Sequence, residues 1–236
     1  MELQPLPPRP SAVDACAERL EAAVLSGELP VGSRLPPERT LAQRLGVNRV
    51  TVRSALARLA SAGLLRVRQG SGYVVRDFRH EAGSGLLPGL AEHARSEGRL
   101  RDVVEDLLLV RRHLARAVLE RVDASRRLDE VERAVDAFEA EVRAGAAEER
   151  LAEADIAVLR SIVDLTGSVV LGLCLNPIVN VLAELPELRA AVCADAEQSV
   201  LGYRALLAGL SQSTTAAALE ALEARDEATL ARLEAP

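Results

Sequence analysis

Two arginines one helical turn apart, Arg49 and Arg53, follow Asn48 and bracket Thr51. On a helix they stand about 40° apart around the axis. The planar fork of an arginine pairs in two bonds with guanine O6/N7 or with a phosphate, and Asn and Thr add neutral hydrogen bonds. That chemistry suits recognition of a nucleic acid; a solvated face charged for solubility is the alternative. A second group consists of polar residues on faces that are otherwise apolar. Arg111 stands among Val104, Leu107, Leu108, Leu114 and Val118, Asp155 among Leu151, Val158, Leu159 and Ile162, and Tyr203 among Leu206, Leu207 and Leu210. Inward charges are costly unless paired. Two readings stay open. Arg111 clamps the carboxylate or phosphate of an acidic effector in a cavity, or an Arg111–Asp155 pair closes a filled, non-sensing core.

Several chemistries are excluded by what is missing. The chain has no lysine, so a Walker lysine, a pyridoxal Schiff base and a Ser-Lys dyad are all ruled out. GxSxG, HExxH and CxxC motifs are absent as well. No enzyme is expected and no cofactor. Cys16, Cys174 and Cys193 are too far apart for a metal or redox motif, and each has apolar neighbours, so buried free thiols in a reducing cytosol are expected. The first ten residues carry no apolar segment of a signal peptide, and the apolar run around Val169–Leu175 is too short to span a bilayer. A cytoplasmic protein with no membrane partner is the expectation.

Charge divides the chain. Residues 1–80 hold 12 arginines against 7 acidic residues, a net +5, and the remainder holds 17 against 28, a net −11. Only the first third is suited to approach a polyanion.

The elements that must position these residues follow from periodicity and from turn residues. A flexible tail, 1–10, precedes a helix from Ser11 to Ser26, which Gly27 stops. A short helix, Glu38–Leu45, ends at Gly46, and Asn48 caps the next helix, which runs to Ala62. Leu64–Arg68 and Tyr73–Arg76 read as strands around a Gln69–Gly72 turn. The glycines there serve a hairpin turn, or let the backbone approach a minor groove. Helix, helix, short turn, helix and hairpin make a winged helix-turn-helix over 11–79. A linker at 80–85 leads to an all-helical domain, 86–236, with helices expected near 87–97, 100–122, 128–144, 149–166, 169–183, 187–210 and 214–234. The fold class is therefore mainly α, a winged helix-turn-helix followed by a helical bundle.

The run from Gly27 to Arg39, GELPVGSRLPPER, then Leu41-Ala42, Gly46-Val47-Asn48-Arg49, Thr51-Val52-Arg53, Gly63-Leu64 and Gly70-Ser71-Gly72-Tyr73-Val74, resembles the GntR family of bacterial regulators across residues 11–76. The resemblance implies DNA contact by Arg39, Arg49 and Arg53, help from Asn48 and Thr51, and a wing at Gln69 and Gly70 in the minor groove. Asn48 stands where the family usually has Ser or Thr. The second region is similar to the family's FadR-like, all-helical branch, through Leu86–Leu90, Leu107–Arg111, Ala154–Arg160, Thr166-Gly167 and Leu175–Ile178. Many members of that branch hold a metal with one Asp and three His. The Asp matches Asp155, the His one turn later matches Leu159, and the two others fall near Tyr203 and Arg225; the chain's histidines, His80, His93 and His113, all lie earlier, so no metal is expected. Arg111, Asp155 and Tyr203, from their places on apolar faces, and Arg225, from the resemblance, are the candidate effector-binding residues. An organic acid or an acyl-CoA is the candidate effector, and double-stranded operator DNA and a second copy of the chain are the expected partners.

Overall fold

The computed structural model describes residues 11–68, 72–122, 128–211 and 216–233. The proline-rich tail and the hairpin turn with Gln69 and Gly70 lie outside the described residues. The chain divides into two compact units, Met1–His93 and Ala94–Pro236.

The first unit opens with α1 (Ala12–Leu25). Ser11 accepts from the Asp14 backbone N–H while the Asp14 carboxylate accepts from Ser11, a reciprocal cap that starts the helix without an orphaned donor. α2 (Glu38–Leu45) ends at Gly46, whose φ of 66° lets the chain reverse within three residues into α3 (Arg49–Ser61). α3 buries Val52, Ala55, Leu56 and Leu59 against Cys16, Leu20 and Val24 of α1 and Leu41 of α2, which fixes its opposite face toward solvent. Gly63, at φ 82°, passes so close to the backbone of Glu81 that a Cβ would sit 2.7 Å from its carbonyl oxygen; no other residue fits there.

β1 (Leu65–Arg68) and β2 (Gly72–Val75) pair antiparallel, with Leu65 opposite Val75 and Arg68 opposite Gly72. Residues 32–35 also lie along β2, through Gly32 N–H to the Val75 carbonyl, Val75 N–H to that of Ser33, and Leu35 N–H to that of Tyr73. The prolines at 30, 36 and 37 conceal this third edge in the sequence, because proline is a breaker inside a strand. The 80–85 segment, expected as linker, is shaped by α4 (Phe78–Glu81) and a 3-10 turn over Ser84–Leu86; Leu86 joins the core of the first unit, and the division falls further on, within α5 (Leu87–Ser96).

The second unit is a bundle of α6 (Leu100–Leu119), α7 (Leu128–Arg143), α8 (Glu148–Asp164), α9 (Val169–Glu184), α10 (Pro186–Cys193), α11 (Ala196–Ser211) and α12 (Ala216–Arg232). Phe138, Val131 and Val135 of α7 pack with Val158 and Ile162 of α8 and Val200 and Tyr203 of α11. The single helix expected over 187–210 is in fact two, α10 and α11. Buried residues recur at 188, 192, 196, 199, 203, 206 and 210 straight through the break, so periodicity alone reads one helix. The thiols also differ from expectation. Cys16 is buried and Cys193 partly so, but Cys174 is exposed, on the outward face of α9 with Val169, Val170 and Leu173. Among the described residues no single helix is long and apolar enough to cross a membrane.

Candidate functional site

In the first unit the candidate residues gather at the N-terminal end of α3. Asn48 takes an extended backbone and its Oδ1 accepts from the Thr51 N–H at 2.7 Å, satisfying an otherwise open donor of the first turn. Arg49 is the first residue of the helix and is exposed, as is Arg39 on α2. Arg53, one turn on, donates to the Glu38 carboxylate from Nε at 3.2 Å and Nη2 at 2.9 Å, a two-pronged bond that aims an otherwise exposed side chain. The Arg53 bond, with help from Arg49, holds the Glu38 carboxyl below its usual range. Thr51, expected to offer a hydroxyl to the nucleic acid, is buried. Its place in the helix sends that side chain into the core beside Val52. Val50 instead is among the most exposed large apolar side chains, next to Arg49.

In the second unit a cavity of about 370 Å³ opens inside the bundle, with Arg111 and Val118 from α6, Ile162 from α8, Tyr203 from α11, and Leu222 and Arg225 from α12 in its wall. Its polar wall is a set of ion pairs. Arg225 grips Asp155 through both carboxylate oxygens, at 3.3 and 2.8 Å, and the Tyr203 hydroxyl donates to Asp155 Oδ1 at 2.7 Å. Arg111 donates from Nη2 to Asp226, whose second oxygen takes a longer bond of 3.4 Å from Arg112. Arg111 and Asp155 thus share one cluster, yet they do not form the direct pair expected; α12 supplies a separate partner for each. The paired charges and the cavity exist together, whereas the sequence had set them as alternatives.

The electrostatics follow burial first. Burial alone would raise the Asp155 carboxyl, but the Arg225 charge and the bonds from Arg225 and Tyr203 outweigh it and hold the carboxyl below its usual range. Burial also acts first on Arg225, downward, and Asp155 reverses it, so its pKa ends above the usual value. Burial, then the Asp155 charge, pushes the Tyr203 hydroxyl up. Arg111 goes the other way. Burial and the facing Arg225 charge lower it to about 10, and among the described residues its Nε has no hydrogen-bond partner.

The position that resemblance would make a metal's carboxylate ligand, Asp155, has both oxygens engaged by Arg225 and Tyr203, and Leu159 turns a hydrocarbon into the cavity. Among the described residues no cluster of three or more His, Cys, Asp or Glu groups suits a metal. Asp226, next to the candidate Arg225, was not singled out from the sequence. The signal was its register with Leu222 and Thr229 on one helical face.

Residues 12–75 match the family model described as "Bacterial regulatory proteins, gntR family". The HTH-type transcriptional regulator Mce2R of Mycobacterium tuberculosis is 52% identical over 90 residues, 38% of this chain and 37% of that protein, so the chain matches little more than a third of that relative's length. Rv0494, an uncharacterized HTH-type transcriptional regulator of the same organism, is 32% identical over 231 residues, 96% of this chain and 91% of the relative. A fatty acid metabolism regulator protein of Edwardsiella ictaluri is 32% identical over 160 residues, 67% of this chain and 64% of the relative. A winged helix-turn-helix and a helical bundle, matched at family level in the first unit and across nearly the whole chain by one relative, have one reading: this chain belongs to the GntR family of bacterial regulatory proteins.

Proposed function

We propose that the chain acts as a homodimer that binds a palindromic operator through its first unit, and that a small acidic metabolite or an acyl-CoA acting on the second unit releases it from DNA. The observation that carries the reading is the exposed arginine face of α3, held rigid by four core residues on its other side. Arg49 and Arg53 are the base- and phosphate-pairing groups, Arg39 the flanking phosphate contact, and the amide of Asn48 stays available because its cap uses only Oδ1. The Gln69-Gly70 turn enters the minor groove. Two copies are required because one small head buries too little surface for tight specific binding, and two-fold symmetry matches a palindrome. Residues 11–79 are assigned to reading and the helices of the second unit to sensing and dimerisation. The protein resides in the cytoplasm, where its DNA is.

The test is selection of binding sites from random duplexes, followed by gel shifts with the selected site. Arg49→Ala and Arg53→Ala should each lose roughly 1–3 kcal/mol of binding. Retention of full affinity by both would overturn the assignment of α3 as the reading helix. An acidic effector is supported by the cavity beside Arg111, and its volume lies at the lower end of the range for small-molecule sites.

A further inference from the structure

α12 is docked by charges and by hydrocarbon that faces a void. Its buried residues are Asp226 and Thr229, both polar, whereas α6 buries Val104, Leu107, Leu108 and Val118 and α8 buries Val158, Ile162 and Val163. The inward apolar side chains of α12, Leu219 and Leu222 among them, are only partly buried, because what lies beneath them is the cavity. A helix seated in this way lacks the burial that makes most helices stable in a protein. Two adjacent residues of opposite sign anchor it instead. Arg225 reaches α8 at Asp155 and Asp226 reaches α6 at Arg111.

The cluster is also one anion short. Three guanidinium groups, Arg111, Arg112 and Arg225, face two carboxylates, Asp155 and Asp226. Arg111 lines the cavity and uses one nitrogen on Asp226. Beyond these groups and Tyr203 the wall is mostly hydrocarbon, with Gln198, Ser199 and Asp195, itself paired with Arg232, as its other polar members. A second anionic group on a ligand would find no further cation there, and a thioester would bring no anion to Arg111 at all.

Resting on the effector reading given above, we propose that the ligand of this cavity is a free monocarboxylate with an aliphatic body of medium length. Its carboxylate binds Arg111 beside Asp226 and balances the third cation, and its chain becomes the core on which α12 packs. Ligand binding and the seating of α12 are then one event, and this is how occupancy is registered by the fold.

The probe is decanoate, with 1-decanol and decanoyl-CoA as comparators, added to the full chain while melting temperature and amide hydrogen exchange of residues 216–232 are followed. Decanoate should raise the melting temperature and slow exchange in α12. Decanol and decanoyl-CoA should bind roughly ten- to a hundredfold more weakly, the factor that a hydrogen bond to a charged group supplies. Arg111→Gln should erase that preference. Asp226→Asn leaves Arg111 dependent on the ligand's anion, so this variant should melt lower than wild type and regain more on adding decanoate than wild type does. If Asp226→Asn does not fold, the wild-type comparison of decanoate with decanol still decides. Equal binding of decanol, or of decanoyl-CoA, overturns the carboxylate assignment and leaves the effector reading standing. Stabilisation by decanoate with unchanged exchange in α12 overturns the seating of that helix. If none of the three binds but another organic acid stabilises the chain, the ligand class is wrong; if no acid or acyl-CoA does, the effector reading itself fails.

Discussion

α3 and α12 are both amphipathic helices of the same chain, and they spend arginine in opposite ways. α3 seats four apolar side chains at 1% exposure or less and turns Arg49 and Arg53 to solvent. α12 turns Arg225 and Asp226 inward and has no fully buried apolar residue. The first arrangement makes a stiff platform whose cations wait outside for a polyanion. The second makes an element whose position depends on buried ion pairs and on what fills the space beneath it. The two helices thus differ in which face carries the charge.

The comparison breaks most readily at the ion pairs. Arg225→Met strands the Asp155 carboxylate, already cut off from water, and should cost about 3–5 kcal/mol of unfolding free energy in urea. Combining it with Asp155→Leu should recover much of that loss. A double variant no better than the single would show that Arg225 acts through packing and not through its charge. Acid should reach the same pair. The folded Asp155 carboxyl titrates below its ordinary 3.8, so its stabilisation is complete above that value and is lost as pH falls through the lower, folded one. Asp155→Asn should flatten that part of the stability curve.

Next comes the core of the reader. Leu56→Ala removes a side chain at 1% exposure and should cost about 2–5 kcal/mol, whereas Leu222→Ala, at the cavity wall of α12, should cost less than half as much because no packed neighbours are lost across the void. Equal penalties would mean that α12 is packed like α3. The smallest effect is at the cap. Asn48→Ala should lose about 1 kcal/mol of stability, and Asn48→Ser should restore it, since either side chain can accept from the first turn.

Much of this contrast was legible in the residues. The i, i+3, i+4, i+7 apolar face of α3 and the Asn48 cap are local features, so 3.6-residue periodicity and capping rules locate them without tertiary knowledge. Arg111, Asp155 and Tyr203 stood out for the same reason, as polar groups interrupting apolar stripes. Partnership was not legible. Arg111 lies 115 positions from Asp226, too far along the chain for local periodicity to join them. The break between α10 and α11 was hidden by a spacing that runs through it. Thr51 was misplaced because its neighbours Asn48, Arg49 and Arg53 all point outward, and a residue between them on the opposite side of the helix carries no separate signal. Cys174 was expected inside because apolar neighbours in sequence were read as neighbours in space. On α9 those neighbours are themselves at the surface.

The chain's lack of lysine bears on the buried cluster in a further way. A lysine sealed in such a place can shed its proton and become neutral, so a sensor built on it would drift with acidity. Guanidinium groups do not allow this. Arg111, weakened by burial, still keeps its proton until about pH 10, and Asp155 is ionised down to below 3.8. Between those limits these groups of the cavity wall carry constant charge. A ligand bound there would meet the same charges on Arg111 and Asp155 in an acid-stressed cell as in a resting one.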